Sequence, residues 1–148
     1  MRTPVILVGV DGSAGSEAAL RWALRESARF GARVEAVLAY HREQAFAPAT
    51  SMGLHPYGER PQQHPARELH AAVEQARADV PGAPDVAETV VAGDAAEHLA
   101  EASRHAELLV IGTHGRGALA QAVLGGVAAK CLRHAQCPVV VIPPHAVK

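Results

Sequence analysis

Five glycines fall within Gly112 to Gly126, GTHGRGALAQAVLGG, directly after the apolar run Leu108-Leu109-Val110-Ile111. Glycine this dense after a strand lets backbone come very close to a ligand. Consecutive amides at the start of a following helix favour anions. The chemistry on offer is therefore phosphate binding, with Arg116 as a nearby cation. A second loop of similar character, Asp11-Gly12-Ser13-Ala14-Gly15-Ser16, follows the apolar run PVILVGV at 4–10. Asp11 and His114 are the titrating groups that these two loops would bring to a shared crevice. An enzyme would need a nucleophile or base poised there. Neither residue has an orienting partner evident in the sequence, so specific catalysis is the weaker expectation.

Several phosphate motifs can be tested on the two loops. A Walker loop needs G-x-x-x-x-G-K-[ST], and neither loop supplies the lysine and hydroxyl pair. Gly115, Gly117 and Ala120 satisfy the dinucleotide pattern G-x-G-x-x-[GA] literally. However, they follow the fourth strand, and no acidic residue stands after the fifth to hold a ribose. The S-G-G-x-D-S pattern of ATP pyrophosphatases is in neither loop.

Strands are expected at 4–10, 33–40, 85–93, 107–112 and 138–144, from short runs rich in Val, Ile and Leu. Helical periodicity covers Glu17 to Phe30, where Ala19, Leu20, Ala23, Leu24 and Phe30 share a face and Gly31 stops the helix. It returns over Ala66 to Asp79, ahead of Pro81-Gly82. Asp94 with Glu97 resembles a capping box that opens a helix running to about His105. A last helix is expected over Ala122 to His134. Residues 41–65 hold four prolines, two glycines and three histidines without periodicity, which suggests a long mobile loop. Alternating strands and helices imply an α/β fold: one doubly wound, five-stranded parallel sheet with helices on both faces. Ligands bind such sheets beyond the carboxyl ends of the strands, where the strand order reverses. The order 3-2-1-4-5 would place the two glycine-rich loops side by side.

At 148 residues the chain is most simply one domain. Hydrophobic residues make up 49% and aromatic residues only 3%, which suits helices packed on a sheet. The net charge is −1 with Lys and Arg scattered, which disfavours nucleic acid as a partner. No run approaches the roughly 18 apolar residues of a membrane span, and the start of the chain lacks a signal-peptide pattern. Cys131 and Cys137 have neither CxxC spacing nor disulfide density, so a cytoplasmic location is expected. Cys131 falls in an apolar stripe with Val123, Leu124, Val127 and Ala135 and is expected in the core; Cys137 enters the last strand. The histidines lack metal-ligand spacing. Ser13 and Asp94 read first as helix caps.

Gly112-x-x-Gly115, nine residues, then Gly125 resembles the nucleotide loop of the universal stress protein family. VGVDGS, VVAGDAAEHLAEASRHAELLVIG and CLRHAQCPVVVIP are similar to that family too, in the same order. The resemblance implies a Rossmann-like fold of the adenine nucleotide alpha hydrolase kind. It also implies ATP, with Mg²⁺, as the ligand. Asp11 would face the adenine side, flanked by Gly12 and Ser13, and backbone near Ala39 would line the base. Gly112, His114, Gly115 and Arg116 would form the first ribose and phosphate arc. Gly125, Gly126 and Val127 would present amides. His114 could equally be an ordinary polar loop residue, and Asp11 a turn residue.

One departure counts against ATP. ATP-binding members carry Ser or Thr immediately after the last motif glycine, and often another two residues on; here those positions are Gly126 and Ala128. A charge-assisted hydroxyl bond contributes about 1.5–3 kcal/mol, so its loss weakens binding about tenfold to over a hundredfold. Relatives also dimerise through their last strands, which points here to Val139, Val140 and Val141. The expected role is regulatory, with nucleotide occupancy ordering 41–65 and changing a partner surface. The rivals are a dimeric interaction protein that has lost its nucleotide, and a slow ATP hydrolase.

Overall fold

A computed structural model of the chain describes residues 2–41, 64–115 and 124–145. The five strands are β1 (Val5–Gly9), β2 (Arg33–Tyr40), β3 (Val86–Ala92), β4 (Leu108–Gly112) and β5 (Val139–Ile142). The helices are α1 (Ala14–Phe30), α2 (Pro65–Asp79), α3 (Ala95–Ala102) and α4 (Gly126–His134). A short 3₁₀ turn, Ser103–His105, extends α3. The sheet runs β3-β2-β1-β4-β5, all parallel, as the sequence predicts.

Burial on both faces explains the unbroken apolar character of β1 and β4. Ile6 and Val8 turn to one side, where Leu20 and Leu24 of α1 and Leu69 and Val73 of α2 complete a core. Leu7 turns to the other, with Leu99 of α3 and Ala128 and Cys131 of α4. Cys131 is thus a core residue. β3 and β5 are the sheet's edges, and Val139, Val140 and Val141 of β5 are half-buried.

The local signals account for most helix ends, but α1 and α4 start elsewhere than expected, and Phe30 and Val127 are not buried as expected. α1 begins at Ala14, three residues before the expected Glu17, because the Ser13 side chain accepts from Ser16 N at 3.2 Å and caps it. Its other end is the Gly31 cap, left-handed at φ 67. Phe30 does not share the buried face: it is 62% exposed, and Ser27 fills the position one turn beyond Leu24. Phe30 is the last residue of α1, so a periodicity that aligns it with Ala23 does not bury it. α4 begins at Gly126 rather than Ala122; Ala122 and Val123 lie outside the described residues. Val127, assigned to the core stripe, is instead 40% exposed. Asp94 caps α3 as expected, accepting from Glu97 N at 3.0 Å.

Residues 42–63 lie outside the described residues, and with them most of the loop expected at 41–65. Among the described residues, no helix is long and apolar enough to cross a membrane.

Candidate functional site

Pairing of Val8 with Val110 sets the carboxyl ends of β1 and β4 side by side, so the two loops meet across one crevice. Each loop is held in shape by its own small residues. Asp11 accepts from Ser13 N through Oδ1 at 2.9 Å, closing a turn in which Gly12 adopts φ 84. Asp11 N donates to Ser16 Oγ at 3.2 Å, and that hydroxyl donates to Ser13 O at 3.2 Å. Asp11 is therefore a turn residue, and it also lines the crevice. Ser13 is likewise both helix cap and crevice wall.

The loop after β4 is tied down at both of its described ends. Thr113 N donates to Ile142 O at 3.2 Å, and Gly125 N donates to Thr113 O at 2.7 Å. Gly125 is buried, and a Cβ there would meet the Cα of His114 at 3.3 Å. This contact brings the start of α4 against the GTHG segment. Gly125 offers no side-chain cap, and the first bond of the helix is Ala129 N to Gly125 O at 3.0 Å. The amides of Gly126, Val127 and Ala128 thus have no partner within the helix, and the positive end of the helix dipole lies with them.

The crevice is walled by Asp11, Ser13 and Ala39 on one side and by Gly112, His114, Gly115 and Val127 on the other. Gly12 shapes the first loop without lining the crevice, and Gly125 lies beneath the second. Gly126 is exposed at the first position of α4, with nothing within 4 Å of a Cβ placed on it. Arg116 lies outside the described residues.

Other contributors escaped the sequence reading. Val37 and Leu99 line the apolar floor, with Ile111 beside them. Gly9 gives Leu99 its space, since a Cβ on Gly9 would lie 2.8 Å from Leu99 Cδ1. Gly15 abuts Gly112 and Ser16 holds the first loop. The cluster of small residues in DGSAGS was the available signal for Gly15 and Ser16; nothing local marked Leu99. His114 also has an orienting neighbour, because its Nδ1 lies 3.2 Å from Thr113 Oγ1. An apolar floor, an uncapped helix start and a fixed carboxylate suit a ligand with an aromatic base and an anionic tail.

The profile of the universal stress protein family matches residues 3–143. The chain belongs to the universal stress protein family. A universal stress protein of Mycolicibacterium smegmatis is 34% identical over 144 residues, covering 93% of this chain and 47% of that protein. The chain thus spans about half the length of the curated universal stress proteins it matches. Among solved structures, a universal stress protein in complex with cAMP is 27% identical, with a TM-score of 0.67 over 97% of this chain and 99% of that one. The universal stress protein UspA from Lactobacillus plantarum has a TM-score of 0.74 at 23% identity, over 96% of this chain and 99% of that one, a likeness of fold.

Proposed function

We propose that residues 1–148 form one universal stress protein domain that binds an adenine nucleotide in the β1–β4 crevice. The ligand we favour is ATP with Mg²⁺. The observation that carries this reading is the uncapped start of α4, fastened to the GTHG segment by the Gly125–Thr113 bond and facing the Asp11 loop. Its amides would receive the phosphates, and Ala39 with Val37 would lie against the base. The cAMP complex of a relative 27% identical to this chain supports the adenine half of the assignment. Magnesium would enter on the phosphates, in keeping with its habit of retaining water and few protein ligands. The output would be regulatory and cytoplasmic. The β5 edge, through Val139, Val140 and Val141, would pair with a second copy of the chain.

Titration calorimetry with Mg-ATP and with cAMP tests the binding. Saturable heat with either supports the reading. No heat and no thermal shift at millimolar nucleotide would leave the dimeric interaction protein in its place. Sedimentation at micromolar concentration tests the dimer, and a stable monomer rejects it.

A second reading, slow hydrolysis, draws on the Thr113 hydroxyl beside His114 Nδ1. That neighbour is the sort of orienting group a general base needs. It predicts phosphate release that His114→Ala abolishes while binding remains.

A further inference from the structure

Glycines of a phosphate loop are ordinarily explained by backbone freedom or by close approach of the ligand. Backbone freedom does not account for Gly115. Among the described residues the left-handed glycines are Gly12, Gly31, Gly82 and Gly93, so Gly115 does not have the positive φ that favours glycine. What a side chain there would meet is a protein group: a Cβ on Gly115 would overlap Asp11 Oδ2 and touch Asp11 Cγ at 3.5 Å. The carboxylate cannot simply swing aside, because its other oxygen accepts from Ser13 N at 2.9 Å in the turn shaped by Gly12. A short side chain with so few rotatable bonds would have to break that charge-assisted bond to make room. Gly126 is the contrast, since a Cβ on it meets nothing within 4 Å.

We propose that Gly115 is a positioning residue for Asp11. The missing side chain is the seat in which the Asp11 carboxylate rests, and it joins the loop after β4 to the loop after β1. The carboxylate's place in the crevice is then set jointly by Ser13 N, on its own loop, and by the emptiness of position 115. The consequence for binding rests on the nucleotide reading above; the steric coupling itself does not.

A double-mutant cycle decides it, with Mg-ATP affinity as one readout and hydrogen exchange of the Ser13 amide in the nucleotide-free protein as the other. Gly115→Ala is expected to weaken Mg-ATP about tenfold in the wild-type background and less than about twofold in the Asp11→Ala background, where the methyl occupies vacated space. Equal losses in both backgrounds would mean that Gly115 serves the ligand directly and would overturn the proposal. In the free protein, either single substitution should speed Ser13 exchange about tenfold, and the double should go no further. An unchanged Ser13 amide in Gly115→Ala overturns the proposal whatever the nucleotide does. If the wild-type protein takes neither Mg-ATP nor cAMP, the binding assignment fails and the exchange measurement still decides the coupling. If Gly115→Ala does not fold, recovery of the fold in the double variant supports the seat, and its absence there rejects it.

Discussion

Gly15, in the first turn of α1, and Gly112, at the end of β4, touch backbone to backbone. A Cβ on Gly112 would lie 2.6 Å from the carbonyl carbon of Gly15 and 2.9 Å from its Cα. The reverse contact is looser, with His114 O at 3.1 Å from a Cβ on Gly15. The helix start therefore rests directly on the strand end that carries the GTHG segment. Gly112→Ala forces main chain against main chain and is expected to cost about 1–3 kcal/mol, as overpacking does. Gly15→Ala should stay within about 1 kcal/mol of neutral, because a gain in helix propensity offsets the tight contact. Urea denaturation of the two variants measures both, and equal costs would show that the asymmetry is not real.

The open side of Gly126 allows the missing hydroxyl to be restored without steric penalty. Gly126→Ser should tighten Mg-ATP at least about tenfold, the value of one charge-assisted bond to a phosphate. Calorimetry of the variant beside the wild type is the measurement. No gain would show that the absent hydroxyl is not what limits affinity.

On the far side of the sheet, His70 of α2 faces Glu88 of β3, with Nδ1 3.0 Å from Oε2 and 3.2 Å from Oε1. The hydrogen bond to Glu88, and then its charge, raise the His70 pKa above the ordinary 6.5; Glu74 adds to this and Arg77 opposes it. The folded protein holds this proton more tightly than the unfolded chain does. The pair's contribution is therefore complete below the unfolded-state pKa and is lost as pH rises through the folded-state value. His70→Ala should lower Tm more at about pH 5.5 than at about pH 8.5, by an amount small enough to suit an exposed pair. A constant difference across that range would remove the pair as the cause.

The two thiols should react in a fixed order. Burial first, and Asp94 second, push Cys131 up to about 11. Burial and then Glu107 also raise Cys137, whose Sγ donates to Pro138 O at 3.4 Å. Both are thiols rather than thiolates at neutral pH, so a disulfide reagent should act slowly on each. Half-buried Cys137 should be modified first, and Cys131 only as the protein unfolds. Timed mass spectrometry of the labelled protein gives the order.

The strand order was legible because the two loops needed a common crevice, and the family resemblance agreed. The exact starts of α1 and α4 were not. Periodicity alone starts α1 at Glu17, while Ser13, which also reads as a cap, sets the start at Ala14. The start expected at Ala122 lies four residues before the uncapped start at Gly126. Val127 fits a core stripe by periodicity alone, yet α4 buries Ala128 and Cys131 and leaves Val127 exposed. Leu99 was out of reach because its place beneath the crevice depends on Gly9, ninety positions earlier in the chain. Sequence spacing indicates faces of elements; contacts between elements need the fold.

The central position of β1 also has a consequence for how the protein is made. Ile6 pairs with Leu108, about a hundred residues later, whereas β2 follows β1 closely. As the chain leaves the ribosome, β1 and β2 can join early, while one edge of β1 waits, apolar and unpaired, for β4. The crevice is thus a late product of synthesis, and its β1 wall is the surface most in need of protection until then. Pulse-labelled exchange during refolding should find β1–β2 amides shielded before those of β4, and simultaneous protection would show that the sheet closes in one step.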